Sequence, residues 1–280
     1  MKDSSIQWTD HTFNPWIGCT RVSPGCQNCY AEGGYGRRFG IEWGPGKPRR
    51  RTTADYWKQA LAWDRQAARK GVIPRVFCGS LCDWLDPDVP PEWRRDLLEL
   101  IGRTPNLGWM LLSKRPQLWR RLVGQAAKSG GAFAARWLAG EAPHNAWAGT
   151  TVEDQRRAEG RIPRLLEIPA ARRFLSCEPL LGPIAPDLGG VDLVIGGGES
   201  GKRARPLDIR WARDLRDRCR DAGVAFFMKQ CGSNPVESGR PLEMKDDHGG
   251  DPDEWPEDLR VREMPGAFRT PARVKTAKGQ

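Results

Sequence analysis

Short apolar runs alternate with longer amphipathic stretches along most of the chain. Ile6-Gln7-Trp8 and Phe13-Asn14-Pro15-Trp16-Ile17 read together as a first strand-like segment, and residues 75–80, 108–114, 146–151, 173–178, 191–195 and 224–229 read as six more. Between them lie helical patterns at 55–70, which Gly71 ends, at 91–102, after Pro116, at 154–161, and at 208–222, which Gly223 ends. Strands this short, separated by helices, predict a parallel sheet covered by helices. Seven of them suit a complete or partial TIM-like (β/α) barrel better than a doubly wound sheet.

Two regions break the alternation. Residues 40–51 form a Gly/Pro/basic loop that should be exposed. From Gly232 onward apolar residues thin out, leaving Trp255, Leu259, Val261 and Met264 as anchors. The chain therefore divides into a barrel domain over 1–232 and an irregular, loosely packed C-terminal extension over 233–280, expected to be disordered from about Phe268.

The apolar runs share a feature that periodicity alone does not produce: six of them end in polar residues. The ends are Cys19 and its loop, Ser80 to Asp83, Ser113-Lys114-Arg115, Thr150-Thr151-Val152-Glu153, Ser176-Cys177-Glu178 and Gly196-Gly197-Gly198-Glu199-Ser200. In a parallel barrel all these ends share one face, where catalytic groups gather. Asp83 and Asp154 also read as helix or turn caps. The glycines before Glu199 suit either a close approach to a ligand or a plain tight turn, and Lys114-Arg115 either a charge partner or a solvated turn. Trp8, Trp16 and Trp84 lie near the expected mouth and are candidates to stack on a planar ligand, whereas most of the 13 tryptophans fall where a helix would bury them.

The chemistry concentrates in Gly18-Cys19-Thr20-Arg21-Val22-Ser23-Pro24-Gly25-Cys26-Gln27-Asn28-Cys29-Tyr30, which puts three thiols in eleven residues. A structural zinc site closes with four protein ligands, whereas a [4Fe-4S] cluster on three thiolates leaves one iron open. His11 could supply the fourth ligand of a Cys3His zinc site, so a zinc-stabilised binding module without catalysis stands beside the cluster reading. Of the other cysteines, Cys219 sits mid-helix as a small hydrophobe, and Cys82, Cys177 and Cys231 lie near strand ends.

A formal net charge of +10 over 280 residues favours an anionic partner such as nucleic acid, with the run Lys47-Pro48-Arg49-Arg50-Arg51 as a candidate contact, but Arg-rich composition alone gives the same balance. The eight cysteines are irregularly spaced and follow no N-terminal apolar run. A cytoplasmic chain with reduced thiols and no membrane span is expected.

Several of these segments carry a resemblance. Asn14-Pro15-Trp16-Ile17-Gly18-Cys19, Ser23-Pro24-Gly25-Cys26 with Cys29-Tyr30-Ala31, Leu112-Ser113-Lys114-Arg115-Pro116, Phe174-Leu175-Ser176-Cys177-Glu178-Pro179-Leu180-Leu181, Gly197-Gly198-Glu199-Ser200-Gly201 and Lys229-Gln230 resemble the phage gene product 37/68 protein family. That family is similar to radical S-adenosylmethionine enzymes and more distantly to spore photoproduct lyase. The resemblance implies a (β/α) barrel with a [4Fe-4S] cluster on Cys19, Cys26 and Cys29, S-adenosylmethionine on its open iron, an electron donor protein as partner, and a 5′-deoxyadenosyl radical as the reactive product. Ser80, Lys114, Glu153 and Glu178, at strand ends and chemically suited to hydroxyl, carboxylate and ammonium groups, are the residues expected to bind S-adenosylmethionine. The first cysteine gap is six residues where the superfamily usually has three, and Cys231 stands where the family tends to have Trp.

Overall fold

The computed structural model describes residues 4–36, 38 and 40–266; the expected disorder from Phe268 falls outside them. The first long helix shows why the amphipathic stretches fold as they do. In α1 (Ala54–Lys70) the Thr53 hydroxyl caps the N-terminus by accepting from Tyr56 N–H at 3.3 Å, and Gly71 ends the helix at φ 66°. Ala60, Trp63 and Ala67, spaced by three and four residues, form its buried stripe. α2 (Pro91–Gly102), α3 (Trp119–Lys128), α4 (Ala132–Leu138), α5 (Gln155–Leu166) and α6 (Ile209–Asp221) follow, with Asp154 and Asp208 capping the last two.

Seven strands form the central sheet: β1 (His11–Phe13), β2 (Arg75–Cys78), β3 (Gly108–Ser113), β4 (Ala146–Thr151), β5 (Arg173–Cys177), β6 (Leu193–Gly197) and β7 (Ala225–Gln230). All pairings are parallel, and the spatial order is the chain order from β1 to β7. A doubly wound sheet reverses its order partway; this one never does, so right-handed crossovers place every helix on the same face. The sheet curls into a partial TIM-like (β/α) barrel, with β1 and β7 as unpaired ends of the seven.

Alternation along the strands separates two cores. Trp8, Phe77, Met110, Trp147, Phe174, Leu193, Ile195 and Phe227 pack together on the concave face with no helical residue among them. Their strand neighbours Val76, Cys78, Trp109, Leu111, Ala148, Leu175, Cys177, Val194, Phe226 and Met228 face outward, where the helices cover them. The concave face is thus filled by large side chains at its base, and only the C-terminal ends of the strands leave space.

Three features complete the periphery, and the first two differ from the sequence expectation. Trp16–Ile17 is a separate short strand paired antiparallel with Arg50–Arg51, so the basic loop folds back on the segment that delivers Cys19. Within that loop Arg49 is buried rather than exposed, because its guanidinium donates to Asp86 at 2.8 Å, Asp88 at 2.9 Å, Thr20 at 2.7 Å and the Lys47 carbonyl at 2.7 Å. The extension after Gly232 is irregular, yet Trp255 and Leu259 are fully buried in the outer core. Its residues 261–263 run antiparallel along β7, with Met228 N–H donating to Val261 O at 2.8 Å and Glu263 N–H to Phe226 O at 2.9 Å. That segment covers the free edge of β7, which would otherwise offer unpaired backbone groups to another chain. No helix among the described residues is long and apolar enough to cross a membrane.

Candidate active site

The polar strand ends surround one cavity of about 200 Å³ at the C-terminal mouth of the sheet. Cys19, Cys26 and Cys29 line it from the loop after β1; Ser80, Cys82, Lys114, Glu178 and Lys229 line it from the ends of β2, β3, β5 and β7. Trp8 and Phe77, with ring centroids 4.6 Å apart, reach it from the concave core.

The cysteine loop has little regular structure, only a short 3-10 turn at Pro24–Cys26, so its position depends on side chains from the strand ends. From β3, Arg115 donates to the Thr20 carbonyl at 2.5 Å and approaches Cys19 Sγ at 3.6 Å. Arg115 is held by Asp83 at 2.7 Å, and Asp83 also accepts from Lys114 N–H at 3.0 Å and Leu85 N–H at 2.9 Å. Beyond β4, Glu153 lies under the loop, accepting from Gly25 N–H at 3.3 Å while Arg161 donates to its other oxygen at 2.7 Å. A Cβ on Gly25 would stand 3.2 Å from the Glu153 carboxyl carbon, so only glycine permits this approach without displacement. Beyond β6, Glu199 accepts from Asn28 at 3.0 Å and is paired with Arg205, which donates to the Pro24 carbonyl at 3.0 Å.

Burial pushes the Cys19 thiol up to about 12; the Asp83 charge adds to the rise and Arg115 opposes it. Burial also works against the charge on Glu153, but Arg161, Ser23 and Lys114 outweigh it and hold the carboxyl below the usual range. Glu199 is likewise held low against its burial by Arg205 and Asn28. Both carboxylates are therefore charged structural anchors of the loop.

The residues expected to meet S-adenosylmethionine divide accordingly. Ser80, Lys114 and Glu178 face the cavity. The Ser80 hydroxyl accepts from Asn14 Nδ2 at 3.0 Å, and Glu178 is ion-paired with Lys229. The Lys114 ammonium makes no hydrogen bond or ion pair with a described residue. Glu153 is enclosed beneath the loop and does not line the cavity. The glycines before Glu199 are accounted for by packing: a Cβ on Gly198 would collide with the Cys231 carbonyl and lie 3.2 Å from Gly232 Cα.

Among the tryptophans singled out, Trp8 lines the cavity, whereas Trp16 and Trp84 are buried in the outer core, Trp84 stacked on Trp137 with centroids 5.8 Å apart. Cys82 reaches the cavity; Cys177 and Cys231 do not, being sealed in the outer core. His11 is stacked on Trp63 at 4.4 Å and belongs to a different groove, with Lys70 and Pro74, at the N-terminal end of its strand. It does not meet the loop thiols, so the Cys3His zinc site is corrected: parity and strand direction put the imidazole at the other end.

Arg115, read as a charge partner or a solvated turn, is the charge partner of Asp83, and Asp83 caps a turn through Leu85 N–H. Arg161, on α5, and Arg205, in the loop after β6, are loop-positioning residues that carried no local signal.

No three His, Cys, Asp or Glu side chains among the described residues converge on a point suited to a single metal ion. The donor set nevertheless suits a cluster, since the three half-buried loop thiols line one cavity, with Cys82 beside them, and a cube takes each thiolate on a different iron.

The fold and site define a parallel (β/α) half-barrel whose mouth is walled on one side by a three-cysteine loop. Over residues 3–268 the sequence matches, and the chain belongs to, the family described as "Protein of unknown function (DUF5131)". No curated protein matches the chain. Among solved structures it is similar to a spore photoproduct lyase variant with bound AdoMet and dinucleoside spore photoproduct, at 11% identity and TM-score 0.45, covering 78% of this chain and 63% of that one. A second spore photoproduct lyase variant gives 12% identity and TM-score 0.47, covering 79% of this chain and 75% of that one. The chain thus spans about 63% of the length of the first of these.

Proposed function

We propose that the protein is a radical S-adenosylmethionine enzyme whose Cys19, Cys26 and Cys29 would hold a [4Fe-4S] cluster. The observation that carries this reading is that those three thiols line the same mouth cavity as Lys114, Glu178 and Lys229. When bound, the cluster supplies the electron that cleaves S-adenosylmethionine to methionine and a 5′-deoxyadenosyl radical.

The chain's own residues do the binding and shielding. The Glu178 carboxylate is suited to the ammonium group of the methionyl part of S-adenosylmethionine, and Lys114 to its carboxylate, through charge-assisted hydrogen bonds. Trp8 and Phe77 offer an apolar surface at the inner end of the cavity, where an uncharged planar ring packs without leaving polar groups bare. The packed base below them keeps bulk water from entering through the sheet from that end.

The reading is tested by reconstituting the protein with iron and sulfide under anaerobic conditions, reducing it, and adding S-adenosylmethionine. 5′-Deoxyadenosine is expected from the wild-type chain and not from the Cys26→Ala chain. A reconstituted, reduced wild-type protein that leaves S-adenosylmethionine intact overturns it.

A further inference from the structure

Of the three loop thiols, Cys19 has a charged donor at its sulfur. Arg115 Nη1 stands 3.6 Å from Cys19 Sγ and 2.7 Å from Asp83 Oδ2, so one N–H group is shared between a thiol and a carboxylate. Both charged side chains are nearly withdrawn from water, at 4% and 7% exposure. Cys26 meets the neutral Ser23 hydroxyl at 3.9 Å, and the cation acting on Cys26 and Cys29 is Arg21, which is solvent-exposed and paired with Glu32 at 2.7 Å. The neighbouring Asp86 is engaged by Arg49 at 2.8 Å, which leaves Arg115 and Asp83 as the opposed charges closest to Cys19.

We propose that Arg115 and Asp83 set the electron affinity of the centre held at Cys19, Arg115 raising its reduction potential and Asp83 lowering it. This rests on the radical S-adenosylmethionine reading and concerns the regulation of that same site. Hydrogen bonds and charges at a ligand sulfur shift the potential of an iron–sulfur centre, because adding an electron is easier beside a positive charge and harder beside a negative one. Poor screening at a buried site enlarges both effects. Asp83 is fixed independently by Lys114 N–H and Leu85 N–H, so it stays in place when Arg115 is changed. Arg115 and Asp83 are positioning residues acting through Cys19.

A purely structural role predicts that losing either member loosens the loop in the same way. The electrostatic role predicts opposite signs. Wild-type, Arg115→Gln, Arg115→Lys and Asp83→Asn proteins are reconstituted anaerobically, and the midpoint potential of each is measured by redox titration followed by electron paramagnetic resonance. Arg115→Gln is expected to shift the potential negative, Asp83→Asn positive, and Arg115→Lys to stay near wild type. If Arg115→Gln retains no iron, Asp83→Asn decides: a positive shift supports the proposal, and no shift or a negative one overturns it. Shifts of the same sign in both, no shift in either, or loss of iron from both overturns it while the enzyme reading stands. A wild-type chain that binds no cluster overturns both.

Discussion

Cys19, Cys26 and Cys29 differ from Cys78, Cys177, Cys219 and Cys231 in their access to the mouth cavity, although all seven belong to one domain and burial raises the Cys19 thiol as it raises the sealed ones. The first three are half-buried on the mouth cavity, in a loop that side chains from three strand ends hold in place. The other four are fully buried among Leu, Val, Ile and aromatic side chains. Burial pushes the Cys219 and Cys231 thiols up to about 12, as it does Cys19, and lifts Cys78 and Cys177 well above the ordinary range. These four do not line the mouth cavity and have no guanidinium at the sulfur as Cys19 has, and they behave as small hydrophobes. What separates the two groups is position relative to the sheet. Cys78 and Cys177 are sealed by the outward parity of their strands and Cys219 by a helix stripe, while Cys231, just past β7, is closed off by Gly198 and by the C-terminal extension, to which its N–H donates at Gly249 O, 2.7 Å.

The comparison can be broken most forcefully at the loop. Cys19→Ala, Cys26→Ala and Cys29→Ala are each expected to abolish 5′-deoxyadenosine formation, because each removes one of the three thiols of the loop; a variant retaining wild-type yield would remove that cysteine from the site.

Next in size is the loop's anchor. Glu153→Gln removes one partner of a buried ion pair and should cost about 3–5 kcal/mol in denaturant unfolding. Because Glu153 is held below its usual range, its contribution is present above the unfolded carboxyl value and is lost as pH falls. The stability gap between wild type and Glu153→Gln should therefore narrow below about pH 4.3. A gap independent of pH would mean that the charge is not what anchors the loop.

Glu178→Ala sharpens the contrast between ligand-facing and loop-anchoring carboxylates. It should weaken S-adenosylmethionine binding about tenfold or more, the scale of one hydrogen bond to a charged group, while leaving iron content unchanged. Titration calorimetry giving wild-type affinity would take Glu178 out of the pocket. The smallest effect belongs to the sealed group: Cys219→Ala should cost only about 1 kcal/mol through a small cavity and leave both iron and product unchanged.

Much of this arrangement was legible in the sequence. Seven apolar runs separated by helical patterns specify seven parallel strands, and their polar C-terminal ends specify where the cavity lies. Residues that pair at a distance were not legible. Arg115 meets the cysteine loop from 95 and 96 residues away and Arg205 meets Pro24 from 181, separations on which local periodicity is silent. Trp16 and Trp84 illustrate the same limit, since closeness to a strand end in sequence does not say which side of the sheet a ring takes. Cys177 was open to better reading: it follows Ser176 on β5, and strict alternation puts the two on opposite faces, with Ser176 lining the cavity and Cys177 under the helices. Arg49 looked like part of a solvated basic run because its acceptors, Asp86 and Asp88, lie nearly forty residues on.

The claim at the centre of the account is that the loop thiols hold a cluster rather than a single ion. Iron and acid-labile sulfide assayed on protein purified and reconstituted without oxygen test it most directly. The account predicts a brown protein with about four irons and four sulfides per chain, lost in Cys19→Ala and kept in Cys219→Ala. A colourless protein holding one zinc per chain and no labile sulfide would contradict it.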